Sequence, residues 1–164
     1  MPTVLTAMRT GTDDDSLEQY LARSAIFRGI GPDKLRVFAE ASELRAYNVL
    51  DEAVIEGVTP SSLSIVISGR FVVLLPGKRL ARFGDSAMVN LDCYLPGDSF
   101  GETALSLHEC TSPPASIVAT EVSRVFSIDG KRFQNITSRD DKIAHVVYRN
   151  LFAIQTRRLA ATGT

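Results

Sequence analysis

The chain has 164 residues and a formal net charge of −1, with 45% hydrophobic and 23% charged residues. This length and composition fit one globular domain that can bury a core. The near-zero charge gives no general case for binding nucleic acid or a membrane surface, and no apolar run reaches transmembrane length.

The N-terminal part is predicted to be flexible and then helical. Residues 1–14 are small and polar, which is typical of a flexible terminus. Their run of three aspartates, residues 13–15, lacks the alternating ligand spacing of a calcium loop, so no metal site is predicted. Residues 16–42 carry apolar side chains at helical spacing, and Pro32 stands where a helix accepts its first residue.

Residues 44–129 change to short β-branched or aromatic runs separated by turn residues. Such a pattern is typical of a sandwich, a barrel or a jelly roll. The Ser68-Gly69 turn between two apolar runs predicts a tight hairpin in which Gly69 supplies a positive φ. Residues 78–95 are less regular, and we expect two strands joined by a long loop. The predicted fold class is α+β, mainly β: an antiparallel β-roll or jelly roll flanked by N- and C-terminal helices.

Residues 131–158 return to helical spacing. Residues 138–141 read as a variant capping box that begins at Ser138. The helix that follows has an apolar stripe, formed by Ile143, Val147, Leu151 and Ile154. Two interpretations stay open: the stripe packs against the β-roll, or the helix, residues 139–158, pairs with a second subunit or another protein.

Three arginines on this helix raise the question of DNA binding: Arg149, Arg157 and Arg158. No aromatic platform accompanies them, and we expect a solvated helix face rather than a grip on nucleic acid.

The most distinctive stretch is Pro96 to Leu105, followed by Ser112 to Ala119. A turn precedes the pair Gly101-Glu102, and a short apolar helical piece follows. A helix that opens after a glycine offers unpaired N–H groups and a positive dipole end to a small anion. The glycine permits a close approach of the backbone, and the Glu102 carboxylate would accept from a pair of hydroxyls.

This stretch resembles the phosphate-binding cassette of cyclic-nucleotide-binding domains, whose pattern reads Gly-Asp-x-Phe-Gly-Glu-x-Ala-Leu and then Pro-Arg-Ala-Ala-Ser/Thr-Val. The resemblance covers about residues 26–155 and implies one domain over residues 15–160. The sequence departs from the pattern at Pro114, where the family has the arginine that pairs with the cyclic phosphate. It also departs at Ile117, where the family often has Ser or Thr.

The resemblance implies a site for cAMP or cGMP. In it, Glu102 accepts from the ribose 2′-hydroxyl, and the N–H groups of Ala104, Ala115 and Ser116 face the phosphate. Val72 and its neighbour Val73 offer an apolar wall to the base. The full set of implied ligand-binding residues is Phe100, Gly101, Glu102, Thr103, Ala104, Pro114, Ala115, Ser116, Ile117 and Val72.

Pro114 has no charge and no N–H, which predicts weakened or altered binding of cyclic nucleotides. The loss is roughly thirty-fold to several thousand-fold, unless Arg79 or Arg82 replaces the missing arginine. We therefore carry two hypotheses. The first is a regulatory, ligand-sensing domain, and the second is an interaction or dimerisation module of the same fold that binds no nucleotide. A different ligand, apolar or dinucleotide, is a third.

Catalytic chemistry finds no support in the sequence. The two histidines, His108 and His145, are too few for a metal-binding jelly roll. Neither a nucleophile elbow nor a phosphate-binding loop of the nucleotide-hydrolase type occurs, so we do not expect an enzyme or a cofactor. Cys93 and Cys110 lack metal-type spacing, and no signal peptide is recognised, which predicts reduced thiols in the cytoplasm, with a disulfide as the alternative.

Overall fold

The computed structural model describes residues 3–5, 14–74, 93–106 and 115–162. The strands are β1 (Thr3–Leu5), β2 (Ser42–Tyr47), β3 (Glu52–Val54), β4 (Ser62–Ser68), β5 (Phe71–Leu74), β6 (Cys93–Tyr94), β7 (Ser99–Phe100), β8 (Ser116–Ala119) and β9 (Ser123–Asp129). The α-helices are α1 (Asp14–Arg23), α2 (Pro32–Glu40), α3 (Gly130–Ser138) and α4 (Asp141–Thr162), and two 3-10 helices span Ala25–Phe27 and Glu102–Leu105. Within these ranges, no helix combines the length and apolar character needed to cross a membrane.

The strands form two sheets. One contains five strands in the order β1-β2-β9-β4-β7, and the other contains four in the order β3-β8-β5-β6. All the pairings are antiparallel. This arrangement, with helices before and after it, confirms the predicted mainly-β roll. The two strands expected within residues 78–95 fall largely outside the described residues, which resume at β6.

The predicted hairpin at Ser68-Gly69 is wrong. Strands β4 and β5 lie in different sheets, so the chain passes from one sheet to the other at this turn. Gly69 has φ +92°, and a Cβ there would lie 2.1 Å from the Ser123 hydroxyl oxygen. That hydroxyl accepts from the Arg70 N–H at 3.0 Å. Glycine is therefore required because the crossing chain passes directly over Ser123.

A short strand lies near the N-terminus. Strand β1 lies within the segment expected to be flexible, and it pairs with β2 from Thr3↔Ala46 to Leu5↔Leu44. Three β-prone residues are too short a run to be recognised in sequence, but they gain backbone hydrogen bonds at a sheet edge. The helical region also begins earlier than expected, at Asp14, and ends at Glu40.

Among the described residues, two clusters of buried side chains make up the core. The larger cluster joins the helices to the five-stranded sheet and includes Phe38 and Phe133, whose ring centroids are 5.3 Å apart. The smaller cluster lies between the sheets around Phe71 and Phe100. The apolar stripe of α4 belongs to the larger cluster, so this face of the helix packs against the domain; its buried members are Ile143, Val147 and Leu151.

Helix α4 begins at a cap that the sequence placed two residues too early. The Asp140 carboxylate accepts from the N–H groups of Lys142 at 3.1 Å and Ile143 at 3.2 Å. Its other oxygen lies 3.2 Å from the Lys34 ammonium on α2. Ser138 instead donates to the Asn135 carbonyl at the end of α3. Asp140 thus fixes both the start of α4 and its contact with α2.

The Asp140 cap makes the acid stability of the domain predictable. The Ile143 N–H and the Lys34 ammonium hold the pKa of the Asp140 carboxyl below its ordinary value of 3.8. A carboxyl with a lowered folded-state pKa stabilises the fold fully above its ordinary value. That stabilisation is lost as the pH falls from there through the lowered value, because the unfolded chain takes up the proton first.

We expect Asp140→Ala to lower the melting temperature at pH 7 by roughly 2–4 °C. The variant should also lose less stability than the wild type between pH 5 and pH 3. Asp140→Asn is the matched control, since it retains a capping oxygen but not the charge, and it should melt between the two at pH 7. Parallel acid profiles for all three proteins, measured by thermal unfolding, would contradict this role of Asp140.

Candidate ligand-binding site

The Gly101-Glu102 pair lies at the junction of β7 and the 3-10 helix Glu102–Leu105, here called the cassette helix. Gly101 has φ +82°, and a Cβ there would lie 2.6 Å from the Ser62 carbonyl oxygen of β4. The left-handed backbone and the lack of room both require glycine. The close approach of β4 therefore determines where the cassette helix begins and where the Glu102 side chain emerges.

Glu102 accepts hydrogen bonds from two side chains. Its Oε1 lies 2.8 Å from Nη1 of Arg158 on α4 and 3.2 Å from the Ser99 hydroxyl. The side chains of Glu102 and Arg158 are only 18% and 21% exposed. The ion pair is thus largely shielded from solvent. Charge-assisted hydrogen bonds are stronger in such a shielded place than at the surface.

Arg158 also contacts Ser99 and Tyr94. Its Nη2 donates to the Ser99 carbonyl, and its guanidinium carbon lies 4.8 Å above the centre of the Tyr94 ring. The expectation that Arg158 belongs to a solvated helix face is therefore wrong. The other two arginines, Arg149 and Arg157, are exposed, as expected for a solvated helix face. The end of α4 thereby closes over the cassette.

One of the three backbone N–H groups that the resemblance implied as phosphate donors is engaged within the cassette. The Ala104 N–H donates to the Gly101 carbonyl at 3.0 Å, which closes the turn of the cassette helix. The Ser116 hydroxyl oxygen accepts from the Glu56 N–H at 2.9 Å. In this conformation the Ala104 donor is engaged within the cassette. The helix has only four residues, so its dipole is weak.

The other implied site residues have different environments. Phe100 is 1% exposed, and its ring lies 5.1 Å from that of Phe71 between centroids. Ile117 is buried in the same cluster. Val72 follows Phe71 on β5 and pairs with Val118 of β8. Because side chains alternate along a strand, Val72 lies on the opposite face of the sheet from Phe71. Thr103 is exposed, and Ala115 is half-buried. The residues that lie outside the described ranges are Pro114, Arg79, Arg82, His108 and Cys110.

Helix α3 contacts both ends of the loop region that presents Glu102. The Gln134 side-chain amide donates to the Leu105 carbonyl at 3.1 Å, at the end of the cassette helix. The Gly130 N–H donates to the Ser61 carbonyl at 2.9 Å, next to the strand that Gly101 approaches. Leu105 is itself buried in the larger core cluster. The cassette helix is therefore fastened to the element that leads directly into α4.

Sequence reasoning missed Tyr94, Ser99 and Arg158 as members of this site. Arg158 lies 56 positions from Glu102, and no local pattern connects the two. Ser99 does lie three residues before Glu102, a spacing at which short polar side chains often bond each other. Among the described residues, no group of three or more His, Cys, Asp or Glu side chains could hold a metal ion.

Comparisons with known proteins agree with the cassette motif. A family model described as "Cyclic nucleotide-binding domain" matches residues 51–140, which is more than half of the chain. No curated protein was found to match by sequence.

Solved structures share the fold. The Catabolite Activator Protein of Thermus thermophilus is 23% identical with a TM-score of 0.66, over 85% of this chain and 60% of that one. A cyclic nucleotide-binding domain from Methylobacillus flagellatus is 15% identical with a TM-score of 0.67, over 89% and 78%. The regulatory domain of Toxoplasma gondii PKA, solved with cAMP, is 18% identical with a TM-score of 0.67, over 90% and 51%. The chain thus spans little more than half the length of two of these proteins.

A matched pair of glycine substitutions tests the close approach at the cassette. Gly101→Ala combines a left-handed φ with a clash against the Ser62 carbonyl, whereas Gly57→Ala has a similar φ of +81° but open space around the new methyl group. We expect Gly57→Ala to lower the free energy of unfolding by about 1 kcal/mol and Gly101→Ala by roughly 3 kcal/mol or more. Urea unfolding measures both, and equal losses would contradict a steric requirement at Gly101.

Proposed function

The chain belongs to the cyclic nucleotide-binding domain family, and on that premise we propose that it is a regulatory, non-catalytic domain that senses a cyclic nucleotide. The observation that carries this proposal is the position of Glu102. Its carboxylate is held at the first residue of the cassette helix by the Gly101 backbone and is shielded from solvent. An ionised carboxylate accepts but does not donate, which suits a ligand that offers hydroxyl groups.

The surroundings of Glu102 support a nucleotide in particular. The aromatic ring of Tyr94 lies 4.8 Å from the guanidinium carbon of Arg158, which pairs with the carboxylate, so aromatic surface is present beside this pair. The PKA regulatory domain that shares the fold was solved with cAMP. Because Pro114 brings neither a charge nor an N–H to the phosphate, the proposed affinity is weaker than that of a cassette with arginine. We place the dissociation constant for cAMP or cGMP between tens of micromolar and about a millimolar.

Isothermal titration of the nucleotide-free protein with cAMP and with cGMP tests this proposal. We expect saturable binding in that range for at least one of them, weakened about tenfold or more in Glu102→Gln because the charge-assisted hydrogen bond is lost. Glu121→Gln is the control, since Glu121 is exposed in the turn between β8 and β9, and it should bind like the wild type. The absence of heat at millimolar ligand would overturn the sensor proposal.

A second candidate function, dimerisation through α4, is favoured by exposed apolar side chains along the helix. Phe152 and Leu159 are 75% and 72% exposed, whereas Tyr148 is 40% exposed and also contacts Phe133 and Thr137 of α3. Their spacing of four and seven residues is that of a seam between two paired helices. Leu151 belongs to the buried stripe, so it does not belong to this seam. We propose that the seam pairs with α4 of a second copy of the chain.

The oligomeric state tests this second candidate. We expect the wild type to sediment as a dimer at about 100 μM, and Phe152→Glu to sediment as a folded monomer because a charge at the seam is left without a partner. Val122→Glu is the control. It introduces the same charge at a side chain that is 67% exposed, in a turn away from α4, and it should remain dimeric. A wild type that stays monomeric at this concentration would contradict the pairing of α4.

A further inference from the structure

We propose that Arg158 is a built-in competitor at the ligand site: it pairs with Oε1 of the Glu102 carboxylate until a hydroxyl-bearing ligand displaces it from that oxygen. This inference rests on the proposed function, since it deepens the role of the same carboxylate. Two donors, the Arg158 guanidinium and the Ser99 hydroxyl, already share Oε1 of Glu102. A ligand hydroxyl that needs Glu102 meets a carboxylate already paired with a cation.

The contacts of Arg158 form a built site rather than a chance surface pair. One nitrogen bonds Glu102, a second bonds the Ser99 carbonyl, and the plane of Tyr94 lies below the guanidinium. Ser99 is 2% exposed and serves the pair twice, through its hydroxyl to Glu102 and its carbonyl to Arg158. Arginine suits such a place because its planar fork donates in two directions while its face stacks on an aromatic ring.

The competition also extends to the helix that carries the arginine. From Phe152 to Ala160, the side chains of α4 are exposed or half-buried, and Ile154 among them packs against the larger core cluster. Arg158 joins this half of the helix to β7 and the cassette helix. Displacing its side chain from Glu102 therefore loosens the end of α4. Ligand binding then favours release of the helix end, and release of the helix end favours ligand binding.

The size of the effect follows from population arithmetic. When only a fraction of the molecules has Glu102 available, the apparent dissociation constant rises by the inverse of that fraction. An available fraction of roughly 3–20% raises it about five- to thirty-fold. Removing the Arg158 side chain should therefore lower the apparent dissociation constant by the same factor. The affinity of a 2′-deoxy ligand should rise less, because it lacks the hydroxyl that bonds the carboxylate.

The matched pair Arg158→Gln and Arg157→Gln tests the inference. Arg157 is the control because it is the neighbouring exposed arginine, and among the described contacts it bonds only within its own helix, to the Ala153 carbonyl. The first measurement uses no ligand. Amide hydrogen exchange over residues 152–162 should be at least several-fold faster in Arg158→Gln than in the wild type and unchanged in Arg157→Gln. Equal exchange in all three proteins would overturn the proposal that Arg158 holds the helix end.

The second measurement is titration with cAMP and with 2′-deoxy-cAMP. Arg158→Gln should bind cAMP about five- to thirty-fold more tightly than the wild type, with a smaller gain for the 2′-deoxy compound. Weaker or unchanged cAMP binding in Arg158→Gln would overturn the competitor role. If no variant binds cAMP at millimolar concentration, the proposed function fails and the competitor role falls with it, whereas the exchange data still decide whether Arg158 holds α4.

Discussion

The direction of the Glu102 side chain depends on the backbone at Gly101. A left-handed residue with no space for a Cβ against the Ser62 carbonyl leaves little freedom in how β7 turns into the cassette helix. The carboxylate is thus placed before any partner reaches it, and the Ser99 hydroxyl, three residues earlier, helps to hold it there. Because the acceptor is preorganised, less conformational entropy is lost when a cation or a ligand hydroxyl bonds it.

Two routes connect this carboxylate to α4. The direct route is the Arg158 ion pair at the far end of the helix. The indirect route runs through α3, where Gln134 bonds the end of the cassette helix and Asp140 then caps the start of α4. Both routes consist of contacts in one structure, and coupling along either of them would require that these contacts rearrange. Glu102 is thus connected by contacts to both ends of α4.

Local patterns in the sequence were sufficient for the fold class and for the cassette. The alternating apolar runs and the Gly101-Glu102 motif depend on neighbours within a few residues, and such signals survive in a single sequence. The crossing at Gly69 was misread as a hairpin, because a glycine with positive φ serves a reversal and a passage between sheets equally well. A cap at Ser138 was equally plausible from composition, and one partner of the actual cap, Lys34 of α2, lies 106 positions from Asp140.

Arg158 shows the same limit in the functional site. On the helix its spacing matched a solvated face, and Arg157 beside it does lie in solvent. What separates the two arginines is the rotation of α4 over the roll, set by the packing of the stripe around Val147 in the larger core cluster. That rotation points position 158 at Glu102 and position 157 away from it. A side chain's role was thus decided by helix packing and not by its own neighbours in sequence.

The two candidate functions meet on α4, and this makes them linked rather than rival. Under the two proposals, Pro114 weakens the nucleotide site permanently and the Arg158 contact weakens it reversibly, so the two factors multiply in the apparent affinity. Whatever holds the end of α4 away from the cassette removes the second factor. A second copy seated on Phe152 acts on the same stretch of helix. If pairing favours the released helix, dimerisation strengthens ligand binding and the ligand strengthens dimerisation by the same factor, because linkage is reciprocal. If pairing favours the closed helix, both effects change sign together.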